Sequence, residues 1–361
     1  MSQITENISE QCLLAQETTG NWRIVTVLIL VVILDISSVF LLGIYGHCCL
    51  ANKALHPNLK ALIFSLTLCF VIRNTLTLIR AARMLIAGII SQQNPCYLLT
   101  PRTICGIESL INATPVEVAC WTFCIISIER TIATFFYKNY ERYKFISFAV
   151  ICSLIPWAFQ AFHVIPSIIR VITGENDAIP YCSSISSKAI DIFVTLGYIV
   201  PMAIVDVILS AIILFVNIRA KKYVLLESNN GANYLTAKFQ RLENIEATRS
   251  ITVHCITFLV FYIVNVYIVV FIQNANLTSL PTFALLKEAS GLTFPIHGNI
   301  HVIIGLALSS KTRQKFINHP LIQIVSCRRN KSYKNSIRYS RRIAPLADQN
   351  DYFNAYRKQW T

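Results

Sequence analysis

Along this chain the apolar positions do not recur at the period of a half-buried helix or strand. They run in blocks of twenty or more, roughly 24–50, 59–90, 105–136, 145–172, 189–218, 249–272 and 283–309. About twenty consecutive apolar residues are enough for a helix to cross a bilayer. Backbone facing lipid must satisfy its own hydrogen bonds, so each block predicts a helix. The pattern predicts an all-α membrane protein, a seven-transmembrane helix bundle. It divides the chain into a polar N-terminal stretch (1–23), a membrane domain (24–309) and a basic tail (310–361) with a short amphipathic helix at its start.

Composition agrees: 54% of the residues are hydrophobic and only 14% are charged. The stretch before the first block is polar, with Glu6, Glu10 and Glu17, and lacks the basic start and small-residue cleavage site of a signal peptide. Flanking charge then sets direction. Lys53 and Lys60 follow the first block, Lys138, Arg142 and Lys144 the third, and Arg219, Lys221, Lys222, Lys238, Arg241 and Arg249 lie between the fifth and sixth. Twelve Lys or Arg follow residue 309, whereas the opposite side has Arg23, Arg102, Lys188 and Lys287. The positive-inside rule predicts a cytoplasmic tail and an N-terminus outside. Opposite sides for the two ends require an odd number of spans, which favours seven over six or eight.

The net charge of +14 is thus mainly a property of the tail. Its basic residues flank spans, so anionic lipid is the expected partner and nucleic acid is not. Lys311, Arg313 and Lys315, with Phe316 and Ile317, predict a short helix on the inner membrane surface that Pro320 ends. Cys327, just beyond it, is a palmitoylation candidate or an unmodified thiol. Most of the twelve cysteines lie inside blocks, where a thiol is a small apolar group. Cys12, Cys96, Cys105 and Cys182 fall on the predicted outer side, where disulfides form, and four cysteines allow three pairings. Asn7 and Asn276 begin glycosylation sequons on that side, and the sequon at Asn112 lies within a span.

Ionisable residues inside a membrane are costly and mark candidate sites. Arg73, Arg80 and Arg83 share one stripe of the second span. Arg80 and Arg83 with Glu108, Glu117, Gln160 and His163 form a candidate ligand pocket, although internal pairing, for example of Arg73 or Arg80 with Glu117, is the blander account. Asp35 and Asp206 read as buried polar contacts rather than proton relays. His297 with His301, and Cys120 with Cys124, have the i, i+4 spacing of metal ligands but read as packing residues. No nucleotide-binding loop or hydrolase motif is present. No enzyme activity and no cofactor are predicted. A channel or transporter would draw on the intramembrane charges, but spans 1–3 do not resemble spans 4–6 or 5–7 as repeats would.

"CIISIERTIATFFYKNYERYKF" (124–145) carries an acid–base pair, Glu129-Arg130, at the foot of the third span. Cys105 lies 25 residues earlier, roughly 37 Å along a helix. This arrangement resembles the rhodopsin-like G-protein-coupled receptors. The resemblance implies a Cys105–Cys182 disulfide, with Cys12–Cys96 a possible second bridge, and a switch in which Glu129 restrains Arg130 until activation opens a cleft for a heterotrimeric G-protein. Lys138, Tyr140, Arg142, Tyr143 and Lys144, with Lys238 and Arg241 opposite, are then the expected G-protein contacts. The second span lacks that family's central acid. The sixth, "ITVHCITFLVFYIVNVYIVVF", has no Pro or Trp, and the seventh, "FPIHGNIHVIIGLAL", has no Asn-Pro-x-x-Tyr. "LHPNLKALIF" (55–64), "IERTIATFFYKNYE" (128–141) and "YLTAKFQRLENIEATRSI" (234–251) resemble instead the nematode chemosensory serpentine receptors of the Sra superfamily, class alpha/beta above alpha, beta and epsilon. That resemblance implies a receptor for small environmental or pheromonal molecules in the plasma membrane of sensory neurons, in the cilium.

Overall fold

Seven helices of the computed structural model are long and apolar enough to cross a membrane. The structure describes residues 2–52, 55–90, 94–136, 146–174, 177–187, 192–226, 232–275 and 279–325. In order they form α1 (Ser2–Gly20), α2 (Trp22–Leu50), α3 (Pro57–Ile90), β1 (Thr100–Pro101), α4 (Arg102–Phe135), α5 (Ile146–Thr173), β2 (Ala178–Ile179), α6 (Ile192–Leu226), α7 (Ala232–Asn274), α8 (Leu280–Gly291), α9 (Thr293–Leu308), α10 (Ser310–Ile317) and α11 (Pro320–Val325). A 3-10 turn, Pro95–Leu98, leads into β1. The helices α2 to α7 are six of the seven spans, and α8 with α9 forms the last.

The bundle is apolar on its outer face as well as in its core, and several polar side chains are buried between the helices. Ile29, Ile33 and Phe40 on α2 and Ile204 and Ile208 on α6 face outward, whereas Asp35, Asn74, Glu117, Gln160 and Asp206 are buried. Outward apolar faces of this extent require a lipid solvent. The interior packs around Leu62, Leu66, Phe70, Phe123, Ile126 and Phe258. Two glycines permit close helix contact. A side chain at Gly298 on α9 would collide with Ser38 Oγ, and one at Gly305 would meet Cε2 of Tyr45 at 2.6 Å.

Where the ends depart from the apolar blocks, local chemistry explains the difference. Asn21 caps α2, its side chain accepting from the Arg23 amide at 3.0 Å. The expected 219–249 loop is helical from Ala232 on, so α7 continues well beyond its apolar part. Residues 232–247 are rich in Ala, Leu, Lys, Gln, Arg and Glu, strong helix formers that an apolar criterion passes over. The seventh span is broken after Gly291. Pro295 has no N–H for the Gly291 carbonyl four residues back, and α8 stops there.

The polar N-terminal stretch is itself helical. On α1, Cys12, Ala15 and Thr18 form a narrow buried stripe. Cys12 is bonded to Cys96 in the 3-10 turn. At the opposite end Ser309 caps α10 by accepting from the Thr312 amide at 3.3 Å. Phe316, expected to anchor in lipid, packs into the protein core instead, because Lys315 Nζ donates to the Ala51 carbonyl and draws α10 onto the end of α2. Ile317 remains exposed.

Candidate functional site

At one end of the bundle a strap between α5 and α6 crosses the helices. The β1 and β2 strands pair antiparallel, Thr100 opposite Ile179. Arg102 reinforces that corner through an ion pair with Asp177 at 2.7 Å and a hydrogen bond from its backbone N–H to the Asp177 carbonyl at 2.9 Å. A disulfide joins Cys182 of the strap to Cys105 in the first turns of α4. The backbone after β2 is thereby held over the space between α3, α4, α7 and α8.

Beneath the strap lies a cavity of about 160 Å³, lined by Arg73, Arg80, Glu108, Glu117, Tyr262 and Lys287 among others. Cavities of about 150 Å³ admit a benzene-sized molecule. Arg80 forms an ion pair with Glu288 of α8 and donates to the Cys182 carbonyl at 3.4 Å. Tyr181 donates its hydroxyl to the same Glu288 carboxylate at 2.5 Å. Burial, and then the Glu288 charge, push the Tyr181 phenol well above its ordinary value, which keeps it protonated as that donor. Arg83 pairs with Glu108 at 2.5 Å near the rim. Arg73 donates to Asn112 of α4 and lies 4.8 Å over the Phe294 ring. Glu117 accepts from Gln160 of α5.

The expected pocket residues are thus partly assembled. Arg80, Glu108 and Glu117 line the cavity, Gln160 braces Glu117 from behind, and Arg83 acts through Glu108. His163 is half-buried on α5 and does not line the cavity. The hydrogen bonds of Arg73 and Arg80 go to Asn112 and Glu288 rather than to Glu117. Periodicity places the arginines on one stripe but does not give the rotation of the facing helices. Glu288 and Tyr181 were missed. An acid inside the seventh apolar block was the available signal for Glu288. Tyr181 had none beyond its place next to Cys182.

At the other end of α4, Arg130 grips Glu129 with two charge-assisted hydrogen bonds, Nε to Oε2 and Nη2 to Oε1, both 2.5 Å. One turn deeper Asp206 of α6 accepts from Ser127 of α4 and from the Cys255 thiol of α7, the latter at 2.7 Å. This carboxylate ties three spans together close to Arg130. A smaller cavity of about 80 Å³ opens at this end, lined by Tyr45, Leu59, Phe123, His254, His301 and Lys311 among others. His297 and His301 are buried beside Phe70, and the buried His254 ring lies 4.0 Å from that of His301. Among the described residues no group of three His, Cys, Asp or Glu is placed to hold a metal ion.

Lys138, Tyr140, Arg142, Tyr143, Lys144, Asn276 and Cys327 lie outside the described residues. The backbone at Asn7, Lys238 and Arg241 is helical. The family profile described as serpentine type 7TM GPCR receptor class ab chemoreceptor matches residues 9–361. No curated protein matches the chain.

Proposed function

Because this chain belongs to the class ab family of serpentine seven-transmembrane chemoreceptors, and is therefore a multi-pass membrane protein of the chemosensory-receptor class, we propose that the cavity under the strap binds its small-molecule ligand and that the Arg130 end signals to a heterotrimeric G-protein. The observation that carries this is the shared helix. The disulfide to the strap and the Glu129-Arg130 clasp are both on α4, 25 residues apart. Charge asymmetry supports an N-terminus outside and a cytoplasmic tail in the plasma membrane. The strap then faces the medium from which ligand arrives, and Arg130 faces the cytoplasm.

The mechanism follows from differential binding. Glu129 restrains Arg130 in the resting state. A ligand that prefers the open arrangement of the bundle shifts the equilibrium by its difference in affinity for the two states and by no more. Asp206, held by Ser127 and Cys255, is the contact that α6 and α7 must rearrange if they move apart beside Arg130. The freed guanidinium then meets the G-protein, with residues 138–144 and, opposite, Lys238 and Arg241 as the further contacts. Glycosylation at Asn7 and Asn276, and palmitoylation of Cys327, fit the same orientation.

The experiment is a calcium readout in cells expressing the full chain, exposed to a panel of volatile and pheromone-like small molecules. The expected result is a response that disappears when G-protein coupling is blocked. Ligand-evoked currents that persist without G-proteins would instead make the chain a channel.

A further inference from the structure

We propose that the ligand of this cavity is a small carboxylate, its anionic end between Lys287 and Arg73 and its apolar body against Phe294, Tyr262 and Val266. The proposal rests on the reading of the cavity as the ligand site and names the chemistry that site selects. Its starting point is the charge left over after the internal pairs are made. Arg80 bonds Glu288 and Arg83 bonds Glu108, whereas Gln160, a neutral amide, donates to Glu117 without cancelling its charge. Lys287 lines the same cavity; its carbonyl accepts from the Ser290 hydroxyl, and its ammonium makes no hydrogen bond or ion pair to the described residues. Arg73 donates to the neutral Asn112, and its Nε is buried with no partner among them.

The two cations sit within electrostatic range of each other and of Arg80, with Glu288 the carboxylate acting on Lys287. Asp35 acts on Arg73 from α2, but neither of its buried oxygens has a hydrogen-bond partner among the described residues, so it does not bond the guanidinium. Like charges at the wall of an apolar cavity repel and are poorly solvated. A carboxylate between them relieves the repulsion and supplies acceptors for the ammonium and for the guanidinium edge. A cationic ligand fits less well, because Glu108 is paired with Arg83 and the other acid on the cavity wall, Glu117, is outnumbered by Lys287 and Arg73. The remaining lining includes Val116, Tyr262, Val266, Val269 and Phe294, and the volume of about 160 Å³ suits one ring or a short branched chain.

The test uses the full chain in lipid nanodiscs and follows its thermal unfolding. The probes are benzoate and 3-methylbutanoate, with benzamide, 3-methylbutanamide and benzylamine as neutral and cationic counterparts. The carboxylates should stabilise the protein with an apparent affinity at least about tenfold above their amides, the difference expected for a hydrogen bond to a charged group. Lys287→Met should lose that advantage and Lys287→Arg should keep it. Should Lys287→Met fail to fold, the contrast between acid and amide on the parent protein decides. Amides or the amine stabilising as well as the acids, no stabilisation by either acid, or Lys287→Met binding acid as the parent does would each overturn the proposal. Ala113→Phe, which fills the cavity, separates the two levels. If it abolishes binding of a neutral probe that the parent prefers, the ligand cavity stands and the carboxylate assignment falls. If the acids bind parent and Ala113→Phe alike, both fall.

Discussion

Single side chains decide which partners the charges find. Sequence pattern marks the arginine stripe of the second span and the two acids of the third, but the partner of Arg80 is Glu288, on a helix whose rotation no spacing reveals. Removing one member of a buried ion pair leaves the other uncompensated, at a cost of about 3–5 kcal/mol. Glu288→Gln should therefore lower the thermal midpoint and the surface expression of the protein. Arg80→Met combined with Glu288→Leu should be less damaging than the sum of the two single changes. Additive losses in that double-mutant cycle would mean that the pair is not coupled. Gly305 is decided at the same scale. A Cβ there meets the Tyr45 ring at 2.6 Å, so Gly305→Ala should cost about 1–3 kcal/mol through overpacking. Retention of the parent melting temperature would show that α2 and α9 are not as close as described.

At the scale of elements, the apolar blocks announce the seven spans because lipid demands length and hydropathy, and both are readable in a linear pattern. What they do not announce is helix built from other causes. Among the α1 residues whose burial is described, Cys12, Ala15 and Thr18 are the buried ones, too small and mixed a stripe to stand out. The polar start of α7 is helical by propensity, with no apolar period to mark it. The Cys12–Cys96 bridge closes a separation of 84 residues and ties α1 to the turn before α4. Closing so long a loop restricts the unfolded chain, and native bridges are typically worth about 2–5 kcal/mol. Replacing both Cys12 and Cys96 by Ser should speed amide hydrogen exchange across residues 2–20 while the spans keep their protection. Unchanged exchange in that segment would mean that α1 is held by packing alone. Peptide mapping of non-reduced protein should recover Cys12 with Cys96 and Cys105 with Cys182, and a free thiol at Cys105 would contradict the strap.

The whole molecule joins a strapped cavity to an acid–base clasp through one helix. Its class was legible because the clasp, the cysteine 25 residues before it and the seven blocks are all local or countable features. The cavity's composition was legible only in part. Lys287 counted in the sequence as a flanking charge, and only folding carries it into the wall beside Arg73. The link between cavity and clasp is the central claim, and a surface-normalised signalling assay of Arg130→Ala beside Glu129→Gln tests it most directly. Arg130→Ala should abolish signalling with surface expression and ligand binding largely intact, and Glu129→Gln should raise ligand-free activity because Arg130 loses both of its bonds to a full carboxylate charge. An Arg130→Ala receptor that signals like its parent, with Glu129→Gln equally silent at rest, would reduce the pair to a charge at the membrane edge and contradict the account.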